Sequence, residues 1–211
     1  MRDVILAHGL WVPGIVMRPL AARLERAGFR CRIFSYLGAR RPLAAHADRL
    51  ARFAREVQEK SGPAHFVGHS LGGLVILEAL NEHPEVAAGR VVLLGTPARG
   101  CYSARRFARY PGGRWFLGQS EMLWREGRVA RWMRPEALGV LAGSLPIGLG
   151  SAFGPLPGMN DGVVSVEEST VEGMTERAVL PVGHSAMLLS SRVAEQVVAF
   201  LQGGRFAAVV R

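Results

Sequence analysis

Aspartate is scarce in this chain of 211 residues: Asp3, Asp48 and Asp161 are the only three. Any chemistry that needs an aspartate therefore has very few candidates. Lysine is scarcer, with Lys60 alone, so the formal net charge of +9 is carried by arginine. Such a bias can come from genome composition, and by itself it does not argue for nucleic acid; no nucleic-acid partner is expected. Cys31 and Cys101 are too few for a disulfide framework, and a chain of this size needs none. No stretch offers ~18 uninterrupted apolar residues, which excludes a membrane-spanning helix of the usual kind. The first residues run into Val4-Ile5-Leu6-Ala7 without the long apolar core and small-residue cleavage site of a signal peptide, so a cytoplasmic location is expected. No Cys, His and carboxylate spacing suggests zinc, and no Walker or dinucleotide glycine pattern sits at a strand-to-helix junction. The expectation is no metal and no cofactor.

What is present is apolar patterning. A hydrophobic content of 49% is that of a folded chain, and residues 1–211 are expected to form one domain. Strand-like runs near residues 3–7, 30–36, 64–68, 90–95, 138–143 and 177–181 alternate with helical runs at 15–27, 43–60, Leu71 to Glu82 and Ser185 to Leu201. That rhythm predicts an α/β fold: a mostly parallel central sheet of about six strands with helices on both faces. Two regions break it. Residues 98–135 are too long for a plain crossover and should hold two or more helices near a site, and the Gly- and Pro-rich residues 144–162 should form an ordered loop ending at Asn160-Asp161-Gly162. The tail from Gly203, with Phe206, Val209 and Val210, either docks or frays.

Between the third strand and the next helix lies Gly68-His69-Ser70-Leu71-Gly72. A serine there sits on a sharp turn with its hydroxyl clear of the backbone, while the flanking glycines and Gly73 avoid collisions across the turn. The plain alternative is a serine that caps the following helix.

A serine hydroxyl is a poor nucleophile at neutral pH and needs a histidine base held by an acid. Of six histidines, His69 adjoins the serine where side chains diverge, and His83 lies about 20 Å along the following helix. His46 is within a helix, His65 lies early on the serine's own strand, and His8 belongs to the loop after the first strand. His184 remains, after the last strand and at the sheet edge where Ser70 must lie. Asp3 opens the first strand at the opposite edge and Asp48 is helical. Asp161 follows the fifth strand and gives the chain order Ser, Asp, His, although an Asp-Gly turn also accounts for it. Glu167 and Glu168 are the fallback acids. Donors for a developing oxyanion would be the backbone N–H of Leu71 and that of Leu10 in His8-Gly9-Leu10-Trp11, with Trp11 the less favoured.

These stretches, with Gly95-Thr96-Pro97, Asn160-Asp161-Gly162-Val163-Val164 and Gly183-His184-Ser185, resemble the α/β-hydrolase family over nearly the whole length, and within it the small bacterial esterases and lipases. The resemblance implies cofactor-free hydrolysis of a carboxylic ester through an acyl-enzyme on Ser70, with His184 and Asp161 completing the triad. It also implies a small helical cover, or an open site, within residues 98–158. Trp11, Val12, Met17, Met122, Leu149, Phe153, Leu156 and Met187 are candidate substrate contacts, each equally compatible with plain core. A thioesterase or acyltransferase would use the same machinery. A non-catalytic protein of this fold, binding anionic membrane surfaces, is the alternative from another class. Its basis is residues 99–134, where nine arginines face two glutamates and aromatics interleave. A solvated face is the default reading there, with peripheral contact to an anionic surface through Arg105, Arg106, Trp115 and Phe116 as the sharper one. Acyl chain length and oligomeric state are not encoded in any motif.

Overall fold

Six apolar runs form one fully parallel sheet in the computed structural model, which describes residues 2–120 and 130–208. The strands are β1 (Asp3–Ala7), β2 (Arg30–Phe34), β3 (Ala64–His69), β4 (Ala88–Leu94), β5 (Leu138–Gly143) and β6 (Glu176–Leu180), in the spatial order β2-β1-β3-β4-β5-β6. β1, β3 and β5 are buried along their whole length, as expected for strands covered on both faces.

Successive residues of each strand feed opposite cores. Ile5, Phe66, Val91, Leu93 and Val140 point into a core shared with α2 (Leu43–Ser61) and α3 (Leu71–Glu82). Val4, Leu6, Val67, Val92 and Leu141 point into a second core shared with α1 (Arg18–Arg26) and α6 (Ser191–Gly203). In α2 the buried Leu43, Ala47, Leu50, Ala54 and Val57 recur at helical spacing and lie against α3. α3 itself is buried almost throughout, since the sheet and α2 enclose it.

β1 is flanked by β2 and β3, so the chain leaves it in one direction and later returns on the other side. β1 and β3 stay paired to their carboxyl ends, at Ala7 and Gly68, and the loops that leave them run to opposite sides, making the crevice where α/β sheets bind ligands. Short helices α4 (Tyr102–Phe107) and α5 (Gly113–Leu117) and a 3-10 turn over Leu149–Phe153 lie beyond the same edge.

The strand expectations hold to within two residues. The closing helix differs: a 3-10 turn over Ser185–Leu188 is followed by a break and then α6. The break occurs because Ser190 is extended and its hydroxyl accepts a hydrogen bond from the Val193 N–H, starting a new helix. The tail docks through Phe206, whose N–H reaches Glu176 and whose ring packs 4.8 Å from Phe200. Val209 and Val210 lie outside the described residues. Among the described residues no helix is long and apolar enough to cross a membrane.

Candidate active site

The turn from β3 into α3 holds Ser70 at φ 54° and ψ −123°, one of two non-glycine residues with positive φ among those described. A left-handed serine is strained, and such strain persists where the surroundings enforce it. They do so here by close packing: a Cβ on Gly68 would lie 2.5 Å from the Gly73 Cα, and one on Gly72 would lie 2.6 Å from the carbonyl oxygen of His8. The Ser70 N–H is tied to Leu94 O at 2.9 Å, which fixes the turn to β4. Ser70 precedes α3 but its side chain makes no capping bond. The capping alternative is therefore removed.

Asp161 and His184 meet beyond the ends of β5 and β6. Asp161 is 1% exposed, and its Oδ2 lies 2.7 Å from His184 Nδ1. Its Oδ1 accepts from the N–H groups of Val163 and Val164 at 2.9 and 2.7 Å, and its carbonyl accepts from the His184 N–H at 2.9 Å. With the carboxylate as acceptor, Nδ1 carries the proton and Nε2 is left as the basic nitrogen. Gly95, at φ 52°, lets this pair approach: a Cβ there would stand 2.9 Å from Asp161 Oδ2 and 3.0 Å from His184 Nδ1.

The other acids are committed elsewhere. Asp3 is gripped by Arg30 and Arg32, and Asp48 pairs with His83. Glu167 pairs with Arg99, while Glu168 accepts from the backbone of Tyr102 and Ser165. Both glutamates therefore brace the loop after β5, and neither takes the fallback acid's position.

The loop after β1 is shaped by His8 and Trp11. His8 Nε2 accepts from the Tyr36 N–H at 3.1 Å, and the Tyr36 hydroxyl donates to the His8 carbonyl at 2.7 Å. Trp11 is the second residue of positive φ, at 61°, and its indole donates to the Phe116 carbonyl at 2.9 Å. Among the described residues the N–H groups of Leu10 and Leu71 are bonded to no other backbone group, and both residues stand beside Ser70 in sequence or across the cavity.

The ring of His69, which the divergence of neighbouring side chains would point away from Ser70, lies in the site. It sits 4.7 Å from the His184 ring, and its Nε2 is 3.0 Å from the His184 carbonyl. Burial, reinforced by the adjacent His184, pushes the His69 imidazole down to about 3. It is neutral at pH 7, so Nε2 donates to that carbonyl and braces the loop carrying His184. Tyr36 is a further support that no spacing rule singles out, while Gly95 and Glu168, the one noted for the family resemblance and the other as a fallback acid, serve as supports of the site.

Ser70, His69, His184 and Leu10 line one cavity of about 160 Å³. Its walls are apolar, formed by Trp11, Val12, Phe107, Leu117, Leu149 and Phe153. Three expected contacts fall away. Met17 and Met187 are wholly buried in the α1/α6 core, because their positions face the opposite side of the sheet. Leu156 lies past the 3-10 turn and outside the lining. Met122 lies outside the described residues. Among the described residues, no three His, Cys, Asp or Glu side chains converge as a metal site would require.

A model of the alpha/beta hydrolase family matches residues 4–146. That span includes Ser70 and ends before Asp161 and His184. The lipase BlEst2 of Bacillus licheniformis is similar in its propeptide form with TM-score 0.82 at 18% identity, over 100% of this chain and 52% of that one. The chain thus spans about half the length of that form. The mature form gives TM-score 0.74 at 19% identity, over 95% and 91% of the two chains. A metagenomic carboxyl esterase, MGS0156, gives 0.69 at 20% identity, over 88% and 65%. At such identities the likeness is one of fold. A search of curated proteins finds no match.

Proposed function

Because the chain belongs to the alpha/beta hydrolase family, we propose that it hydrolyses carboxylic esters with Ser70 as nucleophile, His184 as base and Asp161 as the orienting acid. The observation that carries this reading is the buried Asp161–His184 pair, 2.7 Å apart, opening on the same cavity as a strained Ser70. His184 Nε2 takes the Ser70 proton as Oγ bonds to the ester carbonyl carbon. The charge on the carbonyl oxygen is met by the Leu10 and Leu71 N–H groups and the amino end of α3. The imidazolium then protonates the departing alkoxide, leaving an acyl-Ser70. Water, deprotonated by His184, attacks the acyl carbon, and Ser70 leaves with that proton restored. Asp161 stays ionised throughout and stabilises the imidazolium.

The apolar cavity favours an acyl chain over a polar group, with Trp11 and Phe153 among its walls. In this reading residues 1–211 form one domain, and 98–158 supply a small cover. A panel of p-nitrophenyl esters tests it: turnover is expected for wild type and a loss of at least about 10³-fold for Ser70→Ala. Undiminished turnover in the variant would end the proposal.

A further inference from the structure

Loops that follow β1, β4, β5 and β6 line the cavity, and among the described residues their carboxylates are already paired: Asp161 with His184, Glu136 with Arg134, Glu167 with Arg99, Glu168 with Arg105 and Glu172 with Arg131. Residues 8–17, 37–42, 102–120, 144–160 and 183–190 together contain six arginines and no aspartate or glutamate. Residues 121–129 add two arginines and two glutamates, leaving that sum unchanged. Arg105 reaches Glu168 and Arg106 lies over the Tyr102 ring. Arg40, Arg41 and Arg109 are exposed and, among the described residues, pair with no carboxylate.

Large apolar side chains stand between these arginines. Trp115 is 79% exposed and Leu149 78%, and Tyr110 and Phe116 are more than half exposed. They are contiguous rather than scattered: Phe116 lies 5.0 Å from Trp115 and 6.3 Å from Phe107, which in turn packs on Phe153. The Gln119 N–H bonds to Ala39 O, joining the loop that carries Arg40 and Arg41 to the end of α5. The cavity opens inside this patch, since Leu149 and the half-exposed Trp11 also line it.

We propose that this rim docks on an anionic lipid surface with the cavity mouth facing the bilayer. An exposed apolar patch of this kind marks an interaction site. Tryptophan and tyrosine favour the boundary between acyl chains and headgroups. Unpaired guanidinium groups pair with lipid phosphate and serve as the cations of such a contact. A bilayer also accounts for the placement, because an acyl chain could pass from it into an apolar cavity without crossing water. Docking stands on the rim's own residues. Delivery of substrate to Ser70 rests on the ester-hydrolase reading.

Co-sedimentation with phosphatidylcholine vesicles, with and without 30% phosphatidylglycerol, tests it. Wild type is expected to bind the anionic vesicles at least tenfold more tightly, with the preference shrinking as salt rises. The triple variant Arg40→Gln, Arg41→Gln, Arg109→Gln should loosen binding about a hundredfold, on the order of fivefold per arginine. Trp115→Ser should loosen it without removing the anionic preference. Both variants should hydrolyse a short soluble ester at the wild-type rate, which shows that they fold. Ser70→Ala should bind like wild type, and a wild-type protein that hydrolyses no ester yet prefers anionic vesicles would defeat the ester reading alone. Equal binding to both vesicles, variants that bind like wild type, or displacement from vesicles by a single-stranded RNA would overturn the proposal.

Discussion

Two aspartates of this protein are buried to the same degree, Asp3 and Asp161, each 1% exposed. They sit at opposite ends of the sheet and differ in what neutralises them. Asp3, at the amino end of β1, is held by Arg30 at 2.8 Å and Arg32 at 3.3 Å, side chains that stay charged at every accessible pH. Asp161, beyond the carboxyl end of β5, is held by two backbone N–H groups and an imidazole. A permanent cation locks a carboxylate into structure. An imidazole can gain and lose a proton beside a carboxylate, which is what the proposed role of Asp161 requires.

Charge removal should separate the two aspartates most strongly. Asp161→Asn keeps an acceptor for Val163 and Val164 but disturbs the His184 tautomer, so kcat on a soluble ester should fall by about 10⁴-fold with little change in melting temperature. Asp3→Asn should do the reverse. Its partners are nearly half exposed and remain solvated, so the loss, read by urea unfolding, should be about 1–3 kcal/mol with kcat unchanged. A large activity loss in the Asp3 variant would erase the distinction.

Acidity supplies a smaller and graded effect. Burial opposes the ionisation of Asp3, but hydrogen bonds from Ser61, Arg30 and Arg32 outweigh it and hold the carboxyl below its ordinary value of 3.8. Its contribution is therefore complete above that value and lost as pH falls through the lowered folded one. His65 acts earlier. Burial, with help from Arg2 and Arg90, pushes it from 6.5 down to about 4. The unfolded chain takes up that proton first, so stability should decline as pH falls from about 6.5 toward about 4. His69 extends the same decline to about 3. Urea midpoints across this range check the trend, and His65→Gln should flatten its upper part.

The candidate site is legible in sequence where its geometry rests on local rules. The turn at Ser70 follows from glycines at fixed offsets, and Asp161 and His184 follow from scarcity and from strand order. Met17 and Met187 lie in the core and not in the cavity because a residue near a loop faces one or the other according to how the chain leaves the sheet, which spacing does not record. His69 was passed over for a related reason: its reach to the His184 carbonyl depends on a contact 115 positions away. The split of the closing helix had a usable signal, since Ser190 and Ser191 form a natural helix start within the apolar run.

Ester hydrolysis at this site requires Ser70 to be the activated nucleophile. A fluorophosphonate probe followed by peptide mapping tests this most directly. A single adduct on the peptide carrying Ser70, absent in Ser70→Ala and strongly slowed in Asp161→Asn but not in Asp3→Asn, is the predicted result. An adduct on another residue, or equal labelling of the Ser70→Ala protein, would contradict it.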